Sequence, residues 1–105
     1  MKYYHGTTDI FKLNNEILPP IKTNILREHW RKKYLDKIFV TTSLLSAQKF
    51  AYKACQKYSG CGIVYEVKPI GDIWFPNSKT NEYICDKAKI IKIICKYDKE
   101  LKKWI

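Results

Sequence analysis

The spacing of hydrophobic positions along this chain changes several times, and each change marks an element. Residues 2–5, "KYYH", predict a short strand, followed by a turn at Gly6–Thr8, with Asp9 placed to cap a short helical turn. Pro19-Pro20 breaks the pattern, because neither residue donates a backbone hydrogen bond. From Thr23, "TNILREHWRKKYLDK" predicts a helix capped by Thr23 or Asn24, with Ile25, Leu26, Trp30 and Tyr34 near helical spacing. "KIFVTTS", 37–43, is β-branched and aromatic and predicts a strand running into a polar turn. Ser43 then caps the clearest helix. Leu44, Ala47, Ala51, Ala54, Cys55 and Tyr58 repeat at helical spacing, and Gly60 ends it.

Beyond that helix the period shortens to two. "GIVYEVKP", 62–69, predicts a strand that stops at Pro69. Residues 70–81 predict a loop, with turn residues at Pro76-Asn77-Ser78 and the large aromatics Trp74 and Phe75. "EYI", 82–84, predicts a short strand and "AKIIKIICKY", 88–97, a core strand. The tail "DKELKKWI" predicts a short amphipathic end anchored by Trp104. The order strand, helix, strand, helix, then several strands predicts a mixed α+β domain with antiparallel pairing among the later strands. At 105 residues, 1–105 is one domain with a modest core.

Charge changes the picture more than composition does. The formal net charge is +10, carried almost wholly by lysine, with Arg27 and Arg31 the only arginines. Such a field attracts phosphate-rich partners, yet lysine is a point charge without the planar fork that reads bases. Scattered lysines also serve solubility, and the basic face Arg27, Arg31, Lys32 and Lys33 reads first as a solvated helix surface and second as an acceptor-facing patch. No apolar run approaches the roughly 20 residues that span a bilayer, and no hydrophobic signal segment follows the first lysine. Cys55, Cys61, Cys85 and Cys95 form no Cys-x-x-Cys pair and have no histidine at zinc-site spacing. Reduced thiols in a cytoplasmic compartment and no bound metal are therefore expected.

Candidate chemistry narrows to a few residues. His29 lies in the basic helix and reads as surface. His5 ends a strand beside a glycine, where it is either structural or delivered to a cleft. Glu82 opens an apolar strand, where a carboxylate is costly unless it faces a cleft, a partner or solvent at an edge. Phe39 and Phe50 are spaced either to flank one pocket or to pack a core. No glycine-rich phosphate loop, dinucleotide fingerprint or metal-ligand cluster is present.

Three segments, "YHGT" (4–7), "IFVTTSLLSAQKFA" (38–51) and "NEYI" (81–84), taken in order, resemble the NAD-binding elements of the His-Tyr-Glu class of ADP-ribosyltransferases. That class includes poly(ADP-ribose) polymerases and small rifampin-modifying transferases. The resemblance implies a split antiparallel β-sandwich with a few helices, and NAD as co-substrate. It implies that His5 bonds the ribose 2′-hydroxyl, Gly6 backbone binds the nicotinamide carboxamide and Thr7 completes the motif. Phe39 falls where the family stacks a tyrosine on nicotinamide, Phe50 where a second aromatic stacks, and Glu82 on the catalytic glutamate. Phe39 lacks the phenol hydroxyl, and Ala47 stands where the polymerases carry a serine, which implies either weaker NAD binding or a contact supplied instead by Thr41, Thr42 or Ser43. Asp72 corresponds to an aspartate of the rifampin enzymes and is the backup for Glu82. The chemistry agrees: cleaving the glycosidic bond leaves positive charge on the ribose, which one fixed carboxylate stabilises without metal.

The expected activity is transfer of a single ADP-ribose, by a monomer, to a protein or nucleic-acid acceptor, with the loop around Trp74 and Phe75 either contacting the acceptor or plugging the core. On the same fold, an NAD glycohydrolase needs only water as acceptor. RNA 2′-phosphotransferases depend on several arginines, which Arg27 and Arg31 supply poorly. The competing readings are a small basic RNA-cutting toxin using Tyr3, Tyr4 and His5, outside the fold, and an inactive domain of the transferase fold that holds nucleic acid through its lysines.

Overall fold

The computed structural model describes residues 2–10, 16–17, 38–77 and 82–105. Within them run β1 (Tyr3–Thr8), β2 (Glu16–Ile17), β3 (Ile38–Thr41), α1 (Leu44–Tyr58), β4 (Gly62–Asn77), β5 (Glu82–Asp98) and β6 (Lys103–Trp104). The helix expected over 23–37, with Arg27, His29 and Arg31, and the break at Pro19-Pro20 lie outside the described residues. The described part is a mostly antiparallel sheet with one helix, in the α+β class.

The strand pairings close on themselves. β1 runs against β4 from Tyr3↔Val67 to Thr8↔Gly62. β4 runs against β5 along nearly its whole length, and the first residues of β5 also pair β3, from Ile38↔Cys85 to Thr41↔Glu82. β3 then meets β1 at Tyr4↔Thr41, completing the circuit. β2 and β6 are short additions to β5. Alternation of side chains along these strands builds two cores. One joins Ile17, Ile38, Val40, Val67, Cys85 and Ala88, with Tyr3 set edge-on to Tyr83 at 5.7 Å. The other seats Ala47 and Ala51 of α1 on Val64.

The helix forms where its sequence signals lie. Ser43 Oγ accepts the Ser46 N–H at 3.2 Å, satisfying one of the unpaired donors of the first turn. The chain leaves α1 through Ser59 and Gly60, both at positive φ (74° and 82°), after the Ser59 N–H has closed on the Cys55 carbonyl.

Four boundaries differ from the sequence expectation. The turn expected at Gly6–Thr8 is strand, because α1 lies directly over β1 there. A Cβ on Gly6 would run into the Ala47 carbonyl oxygen and sit 2.9 Å from the Ala47 carbonyl carbon. Asp9 caps no helix. It ties the end of β1 to β4, donating its backbone N–H to the Cys61 carbonyl at 2.9 Å and accepting the Cys61 N–H on its side chain at 2.8 Å. β4 does not stop at Pro69, and 70–77 is strand rather than loop. Pairing with β1 ends at Val67, so among the described residues Pro69 lies where β4 is paired on its β5 side only, and a missing N–H is tolerated at such an edge. Gly71 (φ 87°) sits in a bulge, with the register shifting between Ile70 and Ile73. Finally, 82–84 and 88–97 are one continuous strand, β5. The tail is anchored as expected: β6 turns back on β5, and Trp104 lies 5.4 Å from the Tyr97 ring.

Candidate functional site

The site is built around β3, the strand that joins the two ends of the circuit. Thr41 lies directly opposite Glu82, and Phe39 opposite Ile84. Directly paired residues in an antiparallel ladder share a face, so Phe39, Thr41, Glu82 and Ile84 stand on one side of the sheet. Thr41 is also opposite Tyr4, which brings Tyr4 and, two residues on, Gly6 to that same side, under α1. Glu82 is 2 % exposed, Phe39 5 % and Thr41 1 %. A carboxylate so enclosed at the start of an apolar strand sits where an unmatched charge would be expensive.

His5 belongs to the other face of β1, with Tyr3 and Thr7, and is 6 % exposed. Its ring reaches β3 through the backbone: Nδ1 lies 2.9 Å from the Phe39 carbonyl oxygen. A carbonyl only accepts, so Nδ1 carries the proton and donates. In the neutral ring Nε2 is then the acceptor. His5 and Glu82 are thus linked through β3 rather than side by side on one face.

The other expected site residues divide by role. The Thr41 hydroxyl accepts the Ser43 N–H at 3.1 Å, and Ser43 caps α1, so both shape the corner between β3 and the helix. Thr7 is buried beside β4, opposite Ile63. Phe50 is half-buried on α1, next to Ala51. Ala47 presents its backbone to Gly6, so the need for glycine at that position arises from helix packing. Asp72 is exposed just past the β4 bulge, in contrast to the enclosed Glu82. Trp74 is opposite Ile84 and partly exposed, on strand rather than in a loop.

Two polar features near the site escaped the sequence reading. Asp9 accepts from Cys61 and pairs with Lys96 at 2.9 Å. The Cys61 N–H holds the Asp9 carboxyl below its usual value, Lys96 adds to this, and partial burial opposes it. Lys96 is correspondingly raised by Asp9. Tyr65 is pushed up by burial and, secondarily, by the Asp9 charge. Glu66 is the second feature. It lies opposite Tyr4 and Lys92, with Oε1 enclosed, without a hydrogen bond, and 4.0 Å from both Lys2 and Lys92. The signal was present in "VYEV", where Glu66 shares a face with buried Val64 in a strand apolar on both sides.

All four cysteines are free thiols. Among the described residues, no group of three or more His, Cys, Asp or Glu side chains is placed to hold a metal ion, and no helix is long and apolar enough to cross a membrane. The sequence matches no protein-family model and no curated protein.

Proposed function

We propose that this protein is an NAD-dependent mono-ADP-ribosyltransferase that cleaves the nicotinamide–ribose bond and passes ADP-ribose to a protein or nucleic-acid acceptor. The observation that carries the reading is the enclosed Glu82 carboxylate, paired across the ladder with Thr41 on the strand that also holds Phe39 and receives His5. The segments "YHGT", "IFVTTSLLSAQKFA" and "EYI", distant in sequence, thereby meet on one strand. The closed circuit of β1, β4, β5 and β3, bent at bulges, also suits an ADP-ribosyltransferase-like split sandwich.

In this reading Glu82 faces the ribose as the glycosidic bond lengthens. The bond breaks towards nicotinamide, and the positive charge left on the sugar is met by a carboxylate already fixed and shielded from water. The same carboxylate orients the incoming nucleophile and takes its proton. The resemblance gives His5 the ribose hydroxyl; its Nδ1–H is held by the Phe39 carbonyl, on the strand that pairs with Glu82. Phe39 gives a ring for stacking and no hydroxyl. Four free thiols suit a reducing cytoplasm.

The test is transfer of label from adenine-labelled NAD in the presence of cell protein and RNA. Label on macromolecules, absent with Glu82→Gln, supports the transferase. Label recovered only as free ADP-ribose, again lost with Glu82→Gln, makes the protein a glycohydrolase. Intact NAD throughout, with a folded protein, rejects the NAD reading.

A further inference from the structure

The helix α1 carries a second constellation that NAD cleavage does not use. Its inner side, Ala47 and Ala51, rests on the sheet. Its flank beside β5 and β6 forms a groove of about 300 Å³, lined by Leu45, Gln48, Lys49, Tyr52, Lys53 and Trp104. The walls are almost wholly apolar, and Tyr52 is 47 % exposed. The rings form a series: Tyr52 stands 6.2 Å from Tyr97, which stands 5.4 Å from Trp104, both edge-on. Around this floor lie ammonium groups. Lys49, Lys53 and Lys57 recur every four residues along one exposed stripe of α1, and Lys102 and Lys103 are exposed beside the far end of the groove. Of the acids at that end, Asp98 accepts the backbone N–H groups of Glu100 and Leu101 and is committed to the turn, while Glu100 is exposed.

Aromatic rings with lysines at the rim match a chain of unpaired bases: bases stack on the rings, and phosphates pair with the ammonium groups. An apolar peptide would use the floor and leave the lysines idle. A duplex would use the lysines and leave the rings idle, since its bases are already stacked. Unpaired bases are presented chiefly by RNA loops and single strands. We propose that the α1–β6 groove is a binding site for single-stranded RNA. The proposal does not rest on the NAD reading, because none of the groove's lining residues belongs to the proposed NAD site.

The experiment is fluorescence anisotropy of the full chain with a labelled single-stranded RNA of about ten nucleotides, over a range of salt. Tyr52→Ala should weaken binding by about 5- to 150-fold, and Trp104→Ala by a similar factor. Lys49→Ala combined with Lys53→Ala should reduce the slope of log affinity against log salt by about 1.4. Trp104 packs over Gly62 and its loss can disturb the fold, so exposed Tyr52 keeps the test decisive, with circular dichroism as the folding control. Unchanged affinity in both Tyr52→Ala and the double lysine variant overturns the proposal. Tighter binding of duplex RNA, or of single-stranded DNA of the same sequence, overturns it as well.

Discussion

Gly6→Ala is the substitution whose consequence follows most directly from the packing. Gly6 is not at positive φ among the described backbone, so conformational freedom does not explain it. What explains it is contact. A Cβ there would overlap the Ala47 carbonyl oxygen, with the Ala47 carbonyl carbon at 2.9 Å and the Ala51 nitrogen at 3.0 Å. These are helix backbone atoms, so no side chain can rotate away, and α1 must lift as a unit from β1. Overpacking a well-filled core costs about 1–3 kcal/mol, and a rigid neighbour puts this case near the upper end. For a domain of this length, about 3 kcal/mol lowers Tm by roughly 12 °C or more. That is a large share of the roughly 5–15 kcal/mol that holds such domains folded. Thermal and urea unfolding followed by circular dichroism would measure it. A second variant sharpens the test: Ala47→Gly keeps the offending carbonyl, so Gly6→Ala/Ala47→Gly should recover nothing. Gly6→Ala within about 0.5 kcal/mol of wild type, or rescue by the double variant, would refute the claim that helix packing fixes this glycine.

Two further outcomes are expected. The Asp9 carboxyl is held below its unfolded value, chiefly by the Cys61 N–H, so its contribution is fully present above about pH 4 and is lost as pH falls through the folded value. Asp9→Asn should therefore be less stable than wild type at pH 7, by about 1 kcal/mol, with the gap closing towards pH 3. Parallel urea midpoints across that range would contradict this. Ser43→Ala removes the cap of α1 and should cost about 1 kcal/mol, whereas Ser43→Asp, which can still accept the Ser46 N–H, should hold most of it. Amide exchange in the first turn of α1 should report the same order, and equal protection in the two variants would refute it.

How far the sequence revealed this molecule depends on whether the deciding contact is local. α1 was legible because its cap, its alanine period and its exit through Gly60 are all short-range signals. β4 and β5 were not, because Pro69 and Gly71 carry the marks of breaks. Whether such a residue ends a strand or bulges within it depends on the neighbouring strand. Here β5 pairs across the interruption and β1 has already left. Gly6 was noticed, but its reason was not, since the Ala47 carbonyl is forty residues away in sequence. Glu82 was legible as an oddity, a carboxylate heading an apolar strand, and its enclosure bears out the oddity without naming its chemistry. Glu66 was hidden by an alternation that looked ordinary until both faces of β4 proved to be covered.

The most direct measurement of the central claim is nicotinamide release from NAD, wild type against Glu82→Gln, with thermal melts showing both folded. The account expects release by wild type and a fall of about 10²-fold or more in the glutamine variant, because the amide keeps the shape and loses the charge that meets the ribose cation. No release by the wild type with cell lysate supplied as a source of acceptors, or equal release by the two proteins, would contradict it.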